Sequence, residues 1–163
     1  MSNTLLRAVF GEQLNETYTL EDAYNIFAEK NLVDPGEIAE LAISITSGIA
    51  QCVKNTPNID LVTGVQIKHA RTNPKSFDGR LNAWYSTNST APILLVVTER
   101  LTQKQYYFYI RPEDRAHIKA NAISIVFYKD GTPRKNNYWW LREVPTYEDL
   151  CELAKIPTEF SQL

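Results

Sequence analysis

Apolar positions recur at helical spacing in DPGEIAELAISITSGIAQCVKN, residues 34–55. Ile38, Leu41, Ala42, Ile45, Ile49, Cys52 and Val53 fall on one face, and Ala39 and Ile43 lie on the other flank. The spacing predicts a central helix, apolar over most of its circumference. Asp34 can cap it, Pro35 sits at the first helical position and Glu37 closes a capping box. Its narrow polar arc holds Glu37, Glu40, Ser44, Ser47 and Gln51. Two further helices begin at capping signals: Thr19 with Asp22 opens one over 19–31, and Thr146 with Asp149 opens one over 146–156.

Between the last two helices the period changes. PILLVVTE at 92–99 is a continuous apolar run with β-branched residues, which predicts a buried strand. KQYYFYIR at 104–111 predicts another strand, and PEDRAHIKAN at 112–121 a short helix or turn. AISIVFYK at 122–129 and NYWWLREV at 137–144 read as paired strands joined by the basic loop DGTPRKN. TNPKSFDG at 72–79 reads as a loop and RLNAWYS at 80–86 as a short helix. This order predicts an α/β or α+β fold with a mixed sheet flanked by helices. A chain of 163 residues suits one globular core. It is expected to form a single domain, with its centre at 35–111 and a C-terminal hairpin and helix at 122–156.

NIDLVTGVQIKHAR, residues 58–71, alternates differently. Val65 and Ile67 interleave with Gln66 and Lys68, one face apolar and the other polar. A two-residue turn at Thr63-Gly64 would pair Leu61 with Gln66 and bury Asp60 among core residues, which is costly for an unpaired carboxylate. A three-residue loop, Val62-Thr63-Gly64, puts glycine where a left-handed residue is needed. Leu61 then pairs with Val65, Asp60 with Gln66, Ile59 with Ile67 and Asn58 with Lys68. In that register the apolar residues share one face, and Asp60, Gln66 and Lys68 converge on the other. Asp60 and the Gln66 carbonyl oxygen could bind one hard cation such as Mg²⁺, with Lys68 beside a phosphate.

Charge is unevenly distributed. Residues 1–64 hold nine acids and three bases, residues 65–142 thirteen bases and five acids, and residues 143–163 five acids and one base. A basic middle can present a positive face to a polyanion although the net charge is only −2; a scatter over solvated faces is the alternative. The two cysteines, Cys52 and Cys151, lie far apart and suggest a reducing compartment with no disulfide framework or zinc site. No apolar run is long enough to span a bilayer, and the N-terminus lacks a signal-peptide core. A cytoplasmic protein with no membrane partner is expected. No glycine-rich phosphate loop occurs, which counts against ATPases and dinucleotide enzymes.

An IDL segment followed by VQIK resembles the PD-(D/E)XK nuclease superfamily, to which many restriction endonucleases belong. The subgroup it is most similar to is the Mrr type, in which glutamine replaces the middle carboxylate and the motif reads D…QxK: here Asp60, Gln66 and Lys68. The resemblance covers residues 35–111. It implies a restriction-endonuclease-like fold and Mg²⁺-dependent hydrolysis of DNA phosphodiesters, in restriction or mobile-element defence, by a protein that commonly works as a homodimer. It further implies that Asp60 binds Mg²⁺, that Gln66 adds a ligand and that Lys68 assists the attacking water. A glutamate from the preceding helix, Glu37 or Glu40, would complete the site, with Glu37 as the candidate metal ligand. The other reading is a catalytically inactive module of the same fold that binds DNA or a protein.

In a nuclease, His69, Arg71, Lys75 and Arg80, which follow the motif, would contact backbone phosphates; otherwise they line a solvated loop. Lys129, Arg134, Lys135, Asn136 and Asn137 could enter a groove and read base edges, or form a charged hairpin tip that keeps an edge strand soluble. Trp139 and Trp140, adjacent on an expected strand, would face opposite sides: one in the core, the other under a helix or against a base. His117 reads as a surface or capping residue.

Overall fold

The computed structural model describes residues 35–53, 56–71, 78–82, 89–99, 104–118, 122–135 and 138–163. The helix expected over 19–31 and the cap Asp34 lie outside them. Helix α1 spans Pro35–Ser47 and buries Ile38, Ala39, Leu41, Ala42 and Ile43, as its wide apolar face requires. It ends at Ser47 rather than running to 55. Gly48 takes a left-handed φ of 74° and donates its N–H to the Ser44 carbonyl, a glycine stop. The Ser44 hydroxyl then donates to the Ile49 carbonyl at 2.6 Å, and the Ser47 hydroxyl accepts from the Ile49 N–H at 3.2 Å. Such local side-chain bonds offer the backbone an alternative to another helical turn. Val53, expected on the helix's apolar face, is 83% exposed.

Four strands form a mixed sheet in the order β1 (Gln66–Arg71), β3 (Ile93–Thr98), β4 (Gln105–Ile110) and β6 (Arg142–Val144). β1 and β3 are parallel and the other pairs antiparallel. A separate antiparallel ribbon joins β2 (Asp78–Asn82) to β5 (Ala122–Val126). Two expectations are corrected here. Residues 78–82 are a strand rather than a loop leading into a short helix, and β5 pairs with β2 rather than with 137–144. Residues 127–133 close their own small hairpin, with Phe127 bridged to Pro133 and the Arg134 N–H bonded to the Val126 carbonyl. Tyr138–Leu141 is a turn rather than a strand, closed by the Leu141 N–H on the Tyr138 carbonyl at 3.0 Å.

Helix α2 spans Tyr147–Ala154, and its Thr146 cap accepts the Asp149 N–H at 3.1 Å, as the sequence predicts. Tyr147, Leu150, Cys151 and Ala154 recur at helical spacing and pack with α1 on one face of the sheet, against Val65, Ile67, Leu94 and Val96. On the other face, Ile93, Leu95, Val97, Phe108 and Ile110 pack with Ile123 and Ile125 of the ribbon, with Phe127 and with Trp140. Cover on both faces explains why every residue of ILLVVT is buried. The architecture is α+β, and no helix among the described residues is long and apolar enough to cross a membrane.

Candidate functional site

The Gly64 turn builds the site. The Gly64 N–H donates to the Leu61 carbonyl at 2.9 Å, Gly64 takes a φ of 92°, and Leu61 bridges Val65. This is the three-residue loop that the burial pattern selects. The ladder ends at that pair, so the expected pairs Asp60–Gln66, Ile59–Ile67 and Asn58–Lys68 do not continue it. Asn58 takes a left-handed φ of 68° and turns the chain back. Residues 60–62 instead run beside 50–52, with the Cys52 N–H on the Asp60 carbonyl and the Val62 N–H on the Ala50 carbonyl.

Asp60 meets β1 through its side chain. The Gln66 N–H donates to the Pro92 carbonyl, beside β3. The next amide, Ile67, points to the opposite edge because alternate residues of a strand turn their N–H groups to opposite sides. Asp60 Oδ2 accepts that N–H at 2.7 Å. The carboxylate thus covers the edge of β1 at the peptide joining Gln66 to Ile67, one residue before Lys68. Burial pushes the Asp60 carboxyl pKa up, while the Ile67 N–H and then the Lys68 charge pull it down. Burial and the Asp60 charge push up the Cys52 thiol. Asp60, Lys68 and Cys52 therefore share one electrostatic neighbourhood.

Gln66 and Lys68 alternate with Ile67 on β1, so both face the ribbon side of the sheet. Gln66 is buried, and its Oε1 accepts from Arg115 Nη1 at 3.2 Å; the same nitrogen donates to the Ala91 carbonyl at 2.7 Å. Arg115 is itself buried, in the 3₁₀ helix Pro112–His117. Lys68 is half-buried. On α1, Glu37 is exposed and Glu40 half-buried.

A hard divalent cation needs oxygen donors and keeps several waters. Asp60 fits, because Oδ1 remains beyond the Ile67 bond. The Gln66 oxygen sits against a guanidinium, whose charge opposes a second cation and favours an anion such as a phosphate oxygen. No group of three or more His, Cys, Asp or Glu side chains suited to a metal occurs among the described residues. The donor set fits a cation held by one carboxylate, water and substrate oxygens.

The remaining candidates are dispersed. His69 lies on the helix side of β1, opposite Lys68, and its Nε2 is 3.2 Å from the Thr98 hydroxyl. Arg71 ends β1, and Arg80 lies in β2 paired with Ser124. Lys75, Asn136 and Asn137 lie outside the described residues. Lys129, Arg134 and Lys135 are exposed around the 127–133 hairpin.

Sequence reasoning missed two supports. Arg115 is 49 residues from Gln66, and nothing local marks it as buried. The C-terminal segment straps the turn: the Thr158 N–H and hydroxyl donate to the Thr63 and Gly64 carbonyls, each at 2.9 Å, and the Gln162 N–H donates to the Val62 carbonyl at 2.7 Å. The Thr63 hydroxyl reaches the Ala154 carbonyl at 2.6 Å. The glycine at 64 is the only local hint of this close approach. No protein-family model, curated protein or solved structure matches the chain.

Proposed function

We propose that this protein is a Mg²⁺-dependent DNA endonuclease of the restriction-endonuclease-like class, with Asp60 and Lys68 at its centre. The observation that carries this reading is the Asp60 carboxylate on the Ile67 N–H. It brings the aspartate of the D…QxK pattern to the strand that bears Gln66 and Lys68. A cation bound at Asp60 would supply Lewis-acid polarisation of the phosphodiester. The Ile67 N–H orients the carboxylate toward that task. The Lys68 ammonium stabilises the charge that grows on the phosphate as water attacks phosphorus and the ester oxygen leaves. Arg115, through Gln66, adds positive potential behind the substrate.

Supercoiled plasmid incubated with Mg²⁺ tests the reading. Wild type should nick or linearise it, and Asp60→Ala and Lys68→Ala should each reduce the rate by about a hundredfold or more. Equal cleavage by all three, or none by folded wild type, removes the reading. The Arg115 bond to Gln66 favours a second one, a module of the same class that binds DNA without cutting. Salt-sensitive binding without cleavage would support it.

A further inference from the structure

Turn positions favour Gly, Pro, Asn, Asp and Ser, yet Trp139 and Trp140 occupy the centre of the Tyr138–Leu141 turn. Trp140 is explained by the core, where it is buried. Tyr138 lies nearly parallel to it at 4.9 Å, and His117 does so at 6.1 Å. Trp139 is different. The residue is 75% exposed, yet its indole meets the His117 ring edge-on at 4.9 Å. Tyr138 beside it is 43% exposed. An anchored indole open to solvent loses little conformational entropy when a second ring stacks on it.

The turn's position matters as much as its chemistry. Gln66 is level with Ile93, Ile93 with Ile110, and Tyr109 with Arg142. The start of β1, the end of β4 and the start of β6 therefore lie at the same end of the sheet, about 15 Å apart across three strand spacings. The 3₁₀ helix spans that gap. Its Arg115 reaches Gln66, and two residues on, His117 holds Trp139. Along the chain, the exposed cations Lys135 and Arg142 lie four residues before and three after Trp139. Their Cα atoms are at most about 14 Å and 11 Å from that of Trp139 at the reach of an extended chain.

We propose that Trp139 is a stacking platform for an unpaired nucleobase, and that the DNA strand entering the Asp60 site is single-stranded at that point. Stacking suits any base, and the flanking cations suit its phosphates. The proposal rests on the DNA reading above but not on cleavage. Fluorescence anisotropy with labelled oligothymidine of about 15 nucleotides, and with a duplex of equal length, tests it in EDTA, where cutting does not intervene. Wild type should bind the single strand. Trp139→Ala should weaken that binding about tenfold while leaving the duplex within about twofold. Trp139→Phe, which keeps an aromatic face, should retain most of it. Binding is read in EDTA and cleavage in Mg²⁺, so loss of cleavage and loss of the platform are read separately. Equal single-strand affinity in wild type and Trp139→Ala overturns the proposal, and so does no single-strand binding by wild type. A Trp139→Ala protein that binds DNA normally but changes from dimer to monomer in light scattering would assign the indole to a second copy of the chain and overturn it as well.

Discussion

Arg115 donates to the side-chain oxygen of Gln66 at 3.2 Å, tying the 3₁₀ helix to the first residue of β1. Both side chains are buried, and Arg115 also donates to the Ala91 carbonyl at 2.7 Å. Gln66→Leu removes an acceptor from a buried guanidinium and should lower stability by about 1–3 kcal/mol. Gln66→Glu offers that guanidinium a carboxylate and should stay within about 1 kcal/mol of wild type. Urea denaturation midpoints compare the two. Equal midpoints for the Leu and Glu variants would show that the bond does not support the strand.

Asp60 should make stability fall as pH rises. Its carboxyl pKa is raised in the folded state, chiefly by burial, so the folded chain holds that proton to a higher pH than the unfolded chain. Folding then loses stability as pH rises from the ordinary carboxylate value through the folded pKa. Asp60→Asn keeps an acceptor for the Ile67 N–H and removes the titration. It should be more stable than wild type near about pH 7, with the gap closing toward about pH 4. Paired denaturation curves at the two pH values check the sign. A variant that is less stable at neutral pH would mean that the Lys68 and Ile67 interactions outweigh burial.

Gly64→Ala should be severely destabilising. The residue takes a φ of 92°, and an added Cβ would crowd the Thr158 hydroxyl, with the Phe160 carbonyl carbon at 2.8 Å and the Ser161 nitrogen at 2.9 Å. Backbone strain alone is about 1 kcal/mol, and displacing the strap adds about 1–3 kcal/mol. Thermal melting should fall by roughly 5–10 °C or more. A shift within a degree or two would show that the strap yields easily.

Deleting residues 158–163 should loosen the turn without unfolding the sheet. The strap's bonds fall on the carbonyls of Val62, Thr63 and Gly64, all in the loop, and Glu159 adds a 2.5 Å bond from the Thr90 hydroxyl. Hydrogen exchange should accelerate over 60–67 and remain slow over β3 and β4. Unchanged exchange at 60–67 would mean that the Leu61–Val65 pair holds the turn unaided.

Elements whose signals are local were legible in the sequence. The Thr146 cap and Asp149 lie three residues apart, and α2 begins there. Gly64 chose the three-residue loop, because a left-handed position and the burial of Leu61 and Val65 were compatible in only one register. The strands over 92–99 and 104–111 followed from β-branched and aromatic runs too short for helices. The apolar period carried α1 too far, past the glycine at 48, because Ile49 and Cys52 happen to continue it.

What the tertiary structure alone decided are the partnerships between distant residues. β2 took β5, β6 took β4, and Arg115 took Gln66 across 49 residues. Asp60 met β1 through its carboxylate because Asn58 turned the backbone away, leaving the Ile67 N–H open at the sheet edge. The sequence determined the glycine turn that pairs Leu61 with Val65 and starts β1 at Gln66. Only the fold decided which atom Asp60, Gln66 and Lys68 each present, since a buried polar atom takes whichever partner packing brings to it, and packing depends on the whole chain.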